Sequence, residues 1–175
     1  MPRDKNDSHV IILKNAKKEF LEFGFEKASM RSIAKKSGVT AGALYKHFAG
    51  KEEMFNALAE PVYKKLLSLF DKYTDSVMDD IEANSDELFD DSVKGTTGVL
   101  KLIYEHFDEF QLMFNCSAGT RFEHIREKIV EIEEVSTKEF LIKAEENGLA
   151  PTRLSDTEIH IFATMSLTPL FEVIT

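Results

Sequence analysis

Residues 29–55 read SMRSIAKKSGVTAGALYKHFAGKEEMF, and their pattern predicts two short helices joined by a tight turn. Ser29 is a favourable N-cap for a helix over MRSIAKKS, and Gly38 is suited to end that helix. Thr40 can cap a second helix over AGALYKHF. Two short helices around a turn that contains glycine are typical of a helix-turn-helix.

The apolar residues of this stretch fit the packing that a helix-turn-helix requires. Ile33 and Ala34 are expected to face inward on the first helix, where the small alanine lets the two helices approach. Val39 fills the corner of the turn. Leu44 and Phe48 are spaced i and i+4, so they anchor the second helix to the body of the domain. The other faces carry Lys, Arg, Thr, Tyr and His.

The second helix of such a motif enters the major groove of DNA with its first residues near the base edges. Its first residues are small, which allows close approach but offers little hydrogen bonding to bases. Affinity is therefore expected to depend on phosphate contacts and on salt concentration. Arg31 could contact a phosphate, or it could alternatively bind a guanine edge through two hydrogen bonds. The candidate DNA-binding residues are Arg31, Thr40, Ala41, Gly42, Ala43, Tyr45, Lys46, His47 and Lys51.

Apolar residues recur at helical spacing along the rest of the chain, which predicts an all-α protein. The first helix should begin near the cap Ser8, bury Leu13, Ala16 and Phe20, and end at Gly24. A second long helix should run from Lys51 to about Tyr73 with a kink at Pro61. The acidic connection 79–92, with Ser85 as a possible cap, should precede helices over about 86–115 and 121–147, the latter ended by Asn147 and Gly148. A last helix should follow Pro151, begin at Ser155, carry Ile159, Phe162, Ala163 and Ser166 on one side, and kink at Pro169.

The net charge of −9 is divided unevenly along the 175 residues. Residues 1–55 carry eleven Lys and Arg against seven Asp and Glu, a charge of +4, and residues 56–175 carry −13. Such asymmetry indicates that one segment meets a polyanion. A single cysteine, the charged start MPRDKNDSHVIILK and the lack of a 20-residue uncharged apolar run predict a soluble cytoplasmic protein without a membrane partner.

The run IAKKSGVTAGALYKHFAGKEEMF resembles the DNA-binding signature of the TetR/AcrR family of bacterial regulators. The resemblance rests on the small-residue turn, the Leu-Tyr-x-His-Phe block and the Lys-Glu-Glu-hydrophobic start of the next helix, within residues 8–58. It implies that Tyr45 and Lys51 hold the DNA backbone, that His47 lies close to it, and that Arg31 approaches the major groove.

The resemblance also implies an N-terminal DNA-binding domain over residues 1–50 and a helical effector-binding and dimerisation domain over residues 51–175. The homodimer would form through the last two long helices and bind a palindromic operator in double-stranded DNA. Family members usually continue beyond the point where FEVIT stops, so either the chain is short or a further segment follows.

Large apolar side chains in the second half of the chain are candidates for a pocket that binds a small hydrophobic effector. The alternative is that they form an ordinary helical core. The candidate pocket residues are Tyr104, Phe107, Phe110, Met113, Phe114, Phe122, Phe140 and Phe162.

No other motif indicates chemistry. Cys116 lacks a neighbouring Lys, Arg or second Cys to activate it, so a buried inert thiol is favoured over a redox sensor. His106, His124 and His160 lack metal-ligand spacing, and the acidic connection lacks the spacing of a calcium loop. No catalytic arrangement and no cofactor motif is present.

The sequence therefore predicts a dimeric transcriptional repressor released from DNA by an effector, rather than an enzyme. Two alternatives remain: an architectural or cell-division DNA-binding protein without an effector, and a helical protein-interaction module.

Overall fold

A computed structural model describes residues 5–83, 88–149 and 153–175. Over these ranges the chain forms eight α-helices and no strand, which confirms the predicted all-α class. The helices are α1 Lys5–Lys27, α2 Met30–Ser37, α3 Ala41–Leu44, α4 Lys51–Ala83, α5 Leu88–Glu105, α6 Phe107–Asn115, α7 Ile125–Glu146 and α8 Asp156–Ile174.

The contacts group the chain into two compact units. The first unit comprises Met1–Tyr63 and His106–Glu123, and the second comprises Lys64–Glu105 and His124–Thr175. The units are defined by contacts and not by chain order, so the first unit includes the segment His106–Glu123 from the middle of the chain. The functional division at residues 50 and 51 stays a prediction.

Helix α1 is the centre of the first unit and packs against α2 and α6. Ile12, Ala16 and Phe20 are fully buried at i, i+4 and i+8, which places them on one face. The predicted face is therefore shifted by one residue at its start, since Leu13 is only half-buried. The predicted cap at Ser8 is wrong, because the helix has already begun at Lys5.

Gly24 interrupts α1 as the sequence predicts, but with a different geometry. Its φ is 72° and its ψ is 165°, so the residue takes a positive φ without the left-handed helical ψ. The backbone then resumes a helical turn to Lys27, and the Ala28 N–H donates to the Gly24 carbonyl at 3.1 Å. At Gly24, where the sequence predicts the end of the helix, α1 kinks and continues for one more turn.

A buried carboxylate fixes α2 against α1. The side chain of Glu19 is 3% exposed and forms an ion pair with Lys36 Nζ at 2.8 Å. It also accepts hydrogen bonds from the Ser32 hydroxyl at 2.8 Å and from the Ser29 N–H at 3.3 Å. Burial alone would raise the pKa of Glu19, but these hydrogen bonds outweigh it and hold the pKa below its ordinary value. One side chain therefore positions both ends of α2.

Edge-on and tilted aromatic rings form another part of the first unit's core. Phe20 and Phe25 of α1 lie 5.3 and 5.5 Å from the ring of Phe55 at the start of α4. Phe122, which follows α6, lies 6.1 Å from Phe55 and 5.6 Å from Tyr63. Rings at these separations add to the stability that apolar burial supplies. The cluster ties the segment 106–123 to the N-terminal helices.

Helix α4 is longer than the sequence predicts, and the helix predicted after it is divided in two. Helix α4 continues about ten residues beyond the predicted end near Tyr73, because acidic residues are compatible with an exposed helical face. The predicted cap Ser85 lies outside the described residues. The helix predicted over 86–115 is broken at His106, which separates α5 from α6.

The predicted C-terminal end of α7 and the predicted cap of α8 are confirmed, whereas α7 begins at Ile125 and not near residue 121. Helix α7 ends at Asn147 and Gly148, whose φ is 72°. Ser155 caps α8 in a reciprocal arrangement with Glu158. The predicted inner face of α8 is partly wrong, because Phe162 and Ser166 are exposed and Leu167 completes the buried face instead.

We expect Glu19→Gln to destabilise the first unit by about 1–3 kcal/mol at neutral pH, because it weakens charge-assisted hydrogen bonds in a buried site. A depressed folded-state pKa stabilises the fold above the ordinary glutamate pKa of 4.5, and the effect is lost as pH falls through the folded value. Urea unfolding at several pH values should therefore show a difference between variant and wild type that shrinks in acid.

Glu22→Gln is the matched control. Its carboxylate lies 3.6 Å from the same Lys36 but is 59% exposed, so its loss should change stability little. Equal effects of the two substitutions would contradict the special role of Glu19.

Candidate nucleic-acid interface

Helix α2 has the caps that the sequence predicts at both ends. The Ser29 hydroxyl accepts a hydrogen bond from the Ser32 N–H at 3.4 Å. Gly38 adopts the left-handed conformation, with φ 68° and ψ 30°. The Val39 N–H then donates back to the Ala34 carbonyl at 3.1 Å, which closes the turn. These local bonds set the turn between α2 and α3.

Helix α3 begins as predicted and ends earlier. Thr40 caps it by accepting a hydrogen bond from the Ala43 N–H at 3.1 Å. The α-helical part ends at Leu44, and the His47 N–H donates to the Leu44 carbonyl in a tighter turn. Leu44 is fully buried and Phe48 is 3% exposed, so both anchor the segment. Buried anchors leave the opposite side of α3 facing outward.

The predicted DNA-binding residues are found on the outside of the first unit. Tyr45 is 55% exposed, and its ring therefore has access to a ligand. Ala43, His47 and Lys51 are half-buried. The exposed members of the set are Arg31, Thr40, Ala41, Gly42, Tyr45 and Lys46. Exposure of a tyrosine and two basic side chains beside the small residues of α3 is compatible with phosphate contacts around a closely approaching helix.

Lys51 also has a structural role in this structure. Its Nζ donates to the carbonyls of Phe25 and Glu26, both at 2.8 Å. The ammonium lies 4.8 Å from the centre of the Phe25 ring. These contacts join the kinked end of α1 to the start of α4. The contact of Lys51 with DNA stays a prediction.

Two residues that support this surface were not predicted from the sequence. Glu19 positions α2. The sequence feature that points to it is a charged residue between Ala16 and Phe20 on the apolar face of α1. His9 stacks on the anchor Phe48 with the ring centres 4.5 Å apart, and its ring lies 6.0 Å from that of His47. Tertiary contacts of this kind give no sequence pattern of their own.

The candidate pocket residues are divided between the two units, and they differ widely in exposure. Phe110, Met113 and Phe122 are buried in the core of the first unit. Tyr104 and Phe162 are 69% and 59% exposed. Phe107 is 37% exposed. Phe114 is half-buried, and its ring lies 6.2 Å from that of Phe110. Phe140 is half-buried in the second unit.

A cavity of about 310 Å³ lies within the second unit, and Phe140 is the member of the predicted set that lines it. Helices α4, α5, α7 and α8 all contribute to its walls. The apolar lining consists of Leu69, Phe70, Tyr73, Val77, Met78, Val99, Phe140, Leu167 and Leu170. The polar lining includes Thr74, Ser92, Thr96, Glu133, Ser136, Thr137 and Ser166.

Cys116 lies half-buried just after α6, and burial raises the pKa of its thiol. Among the described residues, no three His, Cys, Asp or Glu side chains lie close enough together to hold a metal ion. Over the same ranges, none of the helices is both long and apolar enough to cross a membrane.

The geometry of α2, the Gly38 turn and α3 defines a helix-turn-helix, the class of domain that places its second helix in the major groove. Residues 12–58 match the family model described as bacterial regulatory proteins, tetR family. This part of the chain is therefore similar to the DNA-binding domain of the TetR family.

Comparisons with individual proteins support the same assignment. The HTH-type transcriptional repressor AcnR of Corynebacterium efficiens is 42% identical over 48 residues, which are 27% of this chain and 26% of AcnR. The uncharacterized HTH-type transcriptional regulator YfiR of Bacillus subtilis is 34% identical over 88 residues, 49% of this chain and 42% of YfiR. The matches thus span less than half of either relative.

The fold extends beyond the matching sequence. NalD of Pseudomonas aeruginosa, the secondary repressor of the MexAB-OprM multidrug efflux pump, superposes with a TM-score of 0.58. The alignment covers 98% of this chain and 84% of NalD at 20% identity. At that identity the likeness establishes the fold alone.

Gly42→Ala tests whether the start of α3 faces DNA closely. A Cβ at Gly42 would meet nothing within 4 Å, so the fold accommodates alanine, and the better helix former should stabilise the protein by up to about 1 kcal/mol. We expect DNA affinity nevertheless to fall at least about tenfold, because the added methyl keeps α3 away from the base edges.

The measurements are thermal unfolding and fluorescence anisotropy with a labelled duplex. Gly50→Ala is the control, since a Cβ there also meets nothing within 4 Å. Unchanged DNA affinity in Gly42→Ala would place the start of α3 away from the bases.

Proposed function

We propose that the chain is a dimeric transcriptional repressor that binds a palindromic operator and is released from it by a small effector. The observation that carries the proposal is the exposed outer side of α3, held outward by Leu44 and Phe48 within the TetR-family domain. Its base-facing residues would be Thr40, Ala41, Gly42 and Ala43, with Arg31 reaching the major groove. Tyr45, Lys46, His47 and Lys51 would contact phosphates. The protein would act in the bacterial cytoplasm.

The cavity in the second unit supports regulation by an effector over a purely architectural role. Its volume lies at the lower end of the range found for small-molecule sites, and most of its walls are apolar. An effector can release DNA only to the extent that it prefers the conformation that does not fit the operator. An architectural protein would have no need of such a cavity.

Exposed apolar residues on the last two helices support a dimer. Helices α7 and α8 pack against each other, and both keep large apolar side chains in solvent. On α8 these residues follow helical spacing and form one strip. Exposed apolar strips of this kind mark association sites. The residues are Val135 and Ile142 of α7 and Ile161, Phe162 and Met165 of α8.

Selection from random DNA duplexes, followed by titration at several salt concentrations, tests the DNA-binding role. We expect an enriched palindrome and a steep negative dependence of affinity on salt.

Tyr45→Ala should reduce affinity at least about tenfold, and Tyr45→Phe should show how much of that loss belongs to the hydroxyl. Lys46→Ala should reduce the salt slope by about one, whereas Lys128→Ala on α7 should leave it unchanged. A dimer that enriches no sequence even at low salt would refute the repressor function and favour an interaction module.

Phe162→Glu should convert the dimer to a monomer, because a two-fold interface would bury the new carboxylate twice. Light scattering after size-exclusion chromatography measures the mass. Phe23→Glu introduces the same change at a residue that is 45% exposed on α1, and it should leave the dimer intact. A wild-type monomer, or a Phe162→Glu dimer of unchanged stability, would exclude this surface.

A further inference from the structure

The cavity in the second unit contains one carboxylate among the described residues that line it. This carboxylate belongs to Glu133 of α7, and the other described lining residues are apolar, hydroxyl-bearing or glycine. The hydroxyl of Ser166 of α8 is a hydrogen-bond partner of its carboxylate, and the same hydroxyl lies 3.0 Å from the carbonyl oxygen of Ala163. Among the described residues, none of those that line the cavity is a Lys or Arg.

An isolated carboxylate in such a site is unfavourable. Burial raises the pKa of Glu133, and the Ser166 hydrogen bond offsets this only in part. Burying a charge without an opposite charge costs much more than burying a neutral hydrogen-bonded group. A ligand that supplies the missing positive charge would remove this cost, whereas a ligand that carries a second negative charge would add to it.

The remaining walls suit an organic group attached to a cation. Phe70 and Phe140 provide aromatic surfaces, and the faces of such rings attract cations. The ring of Tyr73, a further wall, already has the ammonium of Lys72 5.4 Å from its centre. The Tyr73 ring is held as a wall by close packing on α5, since a Cβ at Gly98 would lie 2.9 Å from its hydroxyl oxygen. Thr74 and Ser136 bond to each other at 3.1 Å on another wall and offer hydroxyls to a polar substituent.

We infer that the effector is a hydrophobic amine or related organic cation whose positive group pairs with Glu133. The inference rests on the proposed function, in that the cavity is taken as the effector site. The inference separates three classes of hydrophobic ligand. A carboxylate of the same size would meet a like charge at Glu133, and a neutral alcohol would leave the charge of Glu133 without an opposite charge. The apolar part of the ligand would lie against the aromatic walls.

Three probes that share one carbon skeleton test the charge preference: 4-phenylbutylamine, 4-phenylbutan-1-ol and 4-phenylbutyrate. Isothermal titration calorimetry with the full chain at pH 7.5 measures their direct binding. We expect the amine to bind about tenfold more tightly than the alcohol, and the carboxylate to bind most weakly. An alcohol or carboxylate that binds as tightly as the amine, or no binding by any of the three, overturns the inference.

Glu133→Gln assigns the preference to one side chain. It should reduce the affinity for the amine about tenfold and leave the affinity for the alcohol within about twofold. Glu134→Gln is the matched control, because the neighbouring carboxylate bonds His160 at 2.6 Å and does not line the cavity. Undiminished amine binding by Glu133→Gln overturns the inference, and thermal unfolding confirms that each variant is folded.

Direct binding separates this inference from the proposed repressor function. An amine that binds through Glu133 without releasing DNA supports the ligand class and refutes the regulation. DNA release by an effector in a protein that shows no preference for the amine supports the regulation and overturns the ligand class.

Discussion

The carboxylate of Glu19 is buried between α1 and α2, and the position of the outer surface of the helix-turn-helix depends on it. A buried charge tolerates few geometries, because every hydrogen bond lost leaves part of the charge unsatisfied. Here the carboxylate is satisfied by the Ser29 N–H and Ser32 hydroxyl at the start of α2 and by Lys36 near its end. Rotation of α2 would break at least one of these bonds. The Gly38 turn connects α2 to α3. The orientation of the outward side of α3 therefore depends on the contact that Glu19 makes with α2 on the other side of the motif.

The kink at Gly24 provides a second fixed point in the first unit. A positive φ at this residue turns the chain so that the Phe25 and Glu26 carbonyls accept hydrogen bonds from Lys51. The Phe25 N–H donates to the carbonyl of Cys116 at 2.9 Å, which joins the end of α6 to the same kink. A change at Lys51 would therefore disturb the N-terminal unit as well as any phosphate contact. Loss of DNA binding in such a variant would not by itself identify a phosphate ligand.

Local features of the fold could be predicted from the sequence, and tertiary ones could not. Ser29, Thr40 and Ser155 act as caps because a short hydroxyl side chain satisfies backbone N–H groups within its own segment. The reach of α4 beyond Tyr73 was missed, since an acidic stretch is equally compatible with a loop and with an exposed helix. Phe162 was placed on the inner side of α8 because helical spacing defines a face only to within about one residue, and packing decides between neighbouring faces. The outer residues of the helix-turn-helix were predictable because their inward neighbours, such as Leu44, are distinctive.

The cavity lies in a different part of the sequence from most of the candidate pocket residues, for a physical reason. Runs dense in phenylalanine, such as the one around Phe110, have enough volume to fill the space between helices, so they form a packed core. The cavity instead lies where helices carry small or hydroxyl-bearing residues opposite aromatic ones, as with Gly95, Ser136 and Ser166. Such residues leave space at the helix interface and bring hydrogen-bonding groups into it. A single carboxylate can then be placed in that space without being neutralised by a neighbour, and Glu133 occupies that position. In this helical domain, small residues at the helix interfaces leave the space of the cavity, and the carboxylate among them is the feature on which the proposed ligand preference rests.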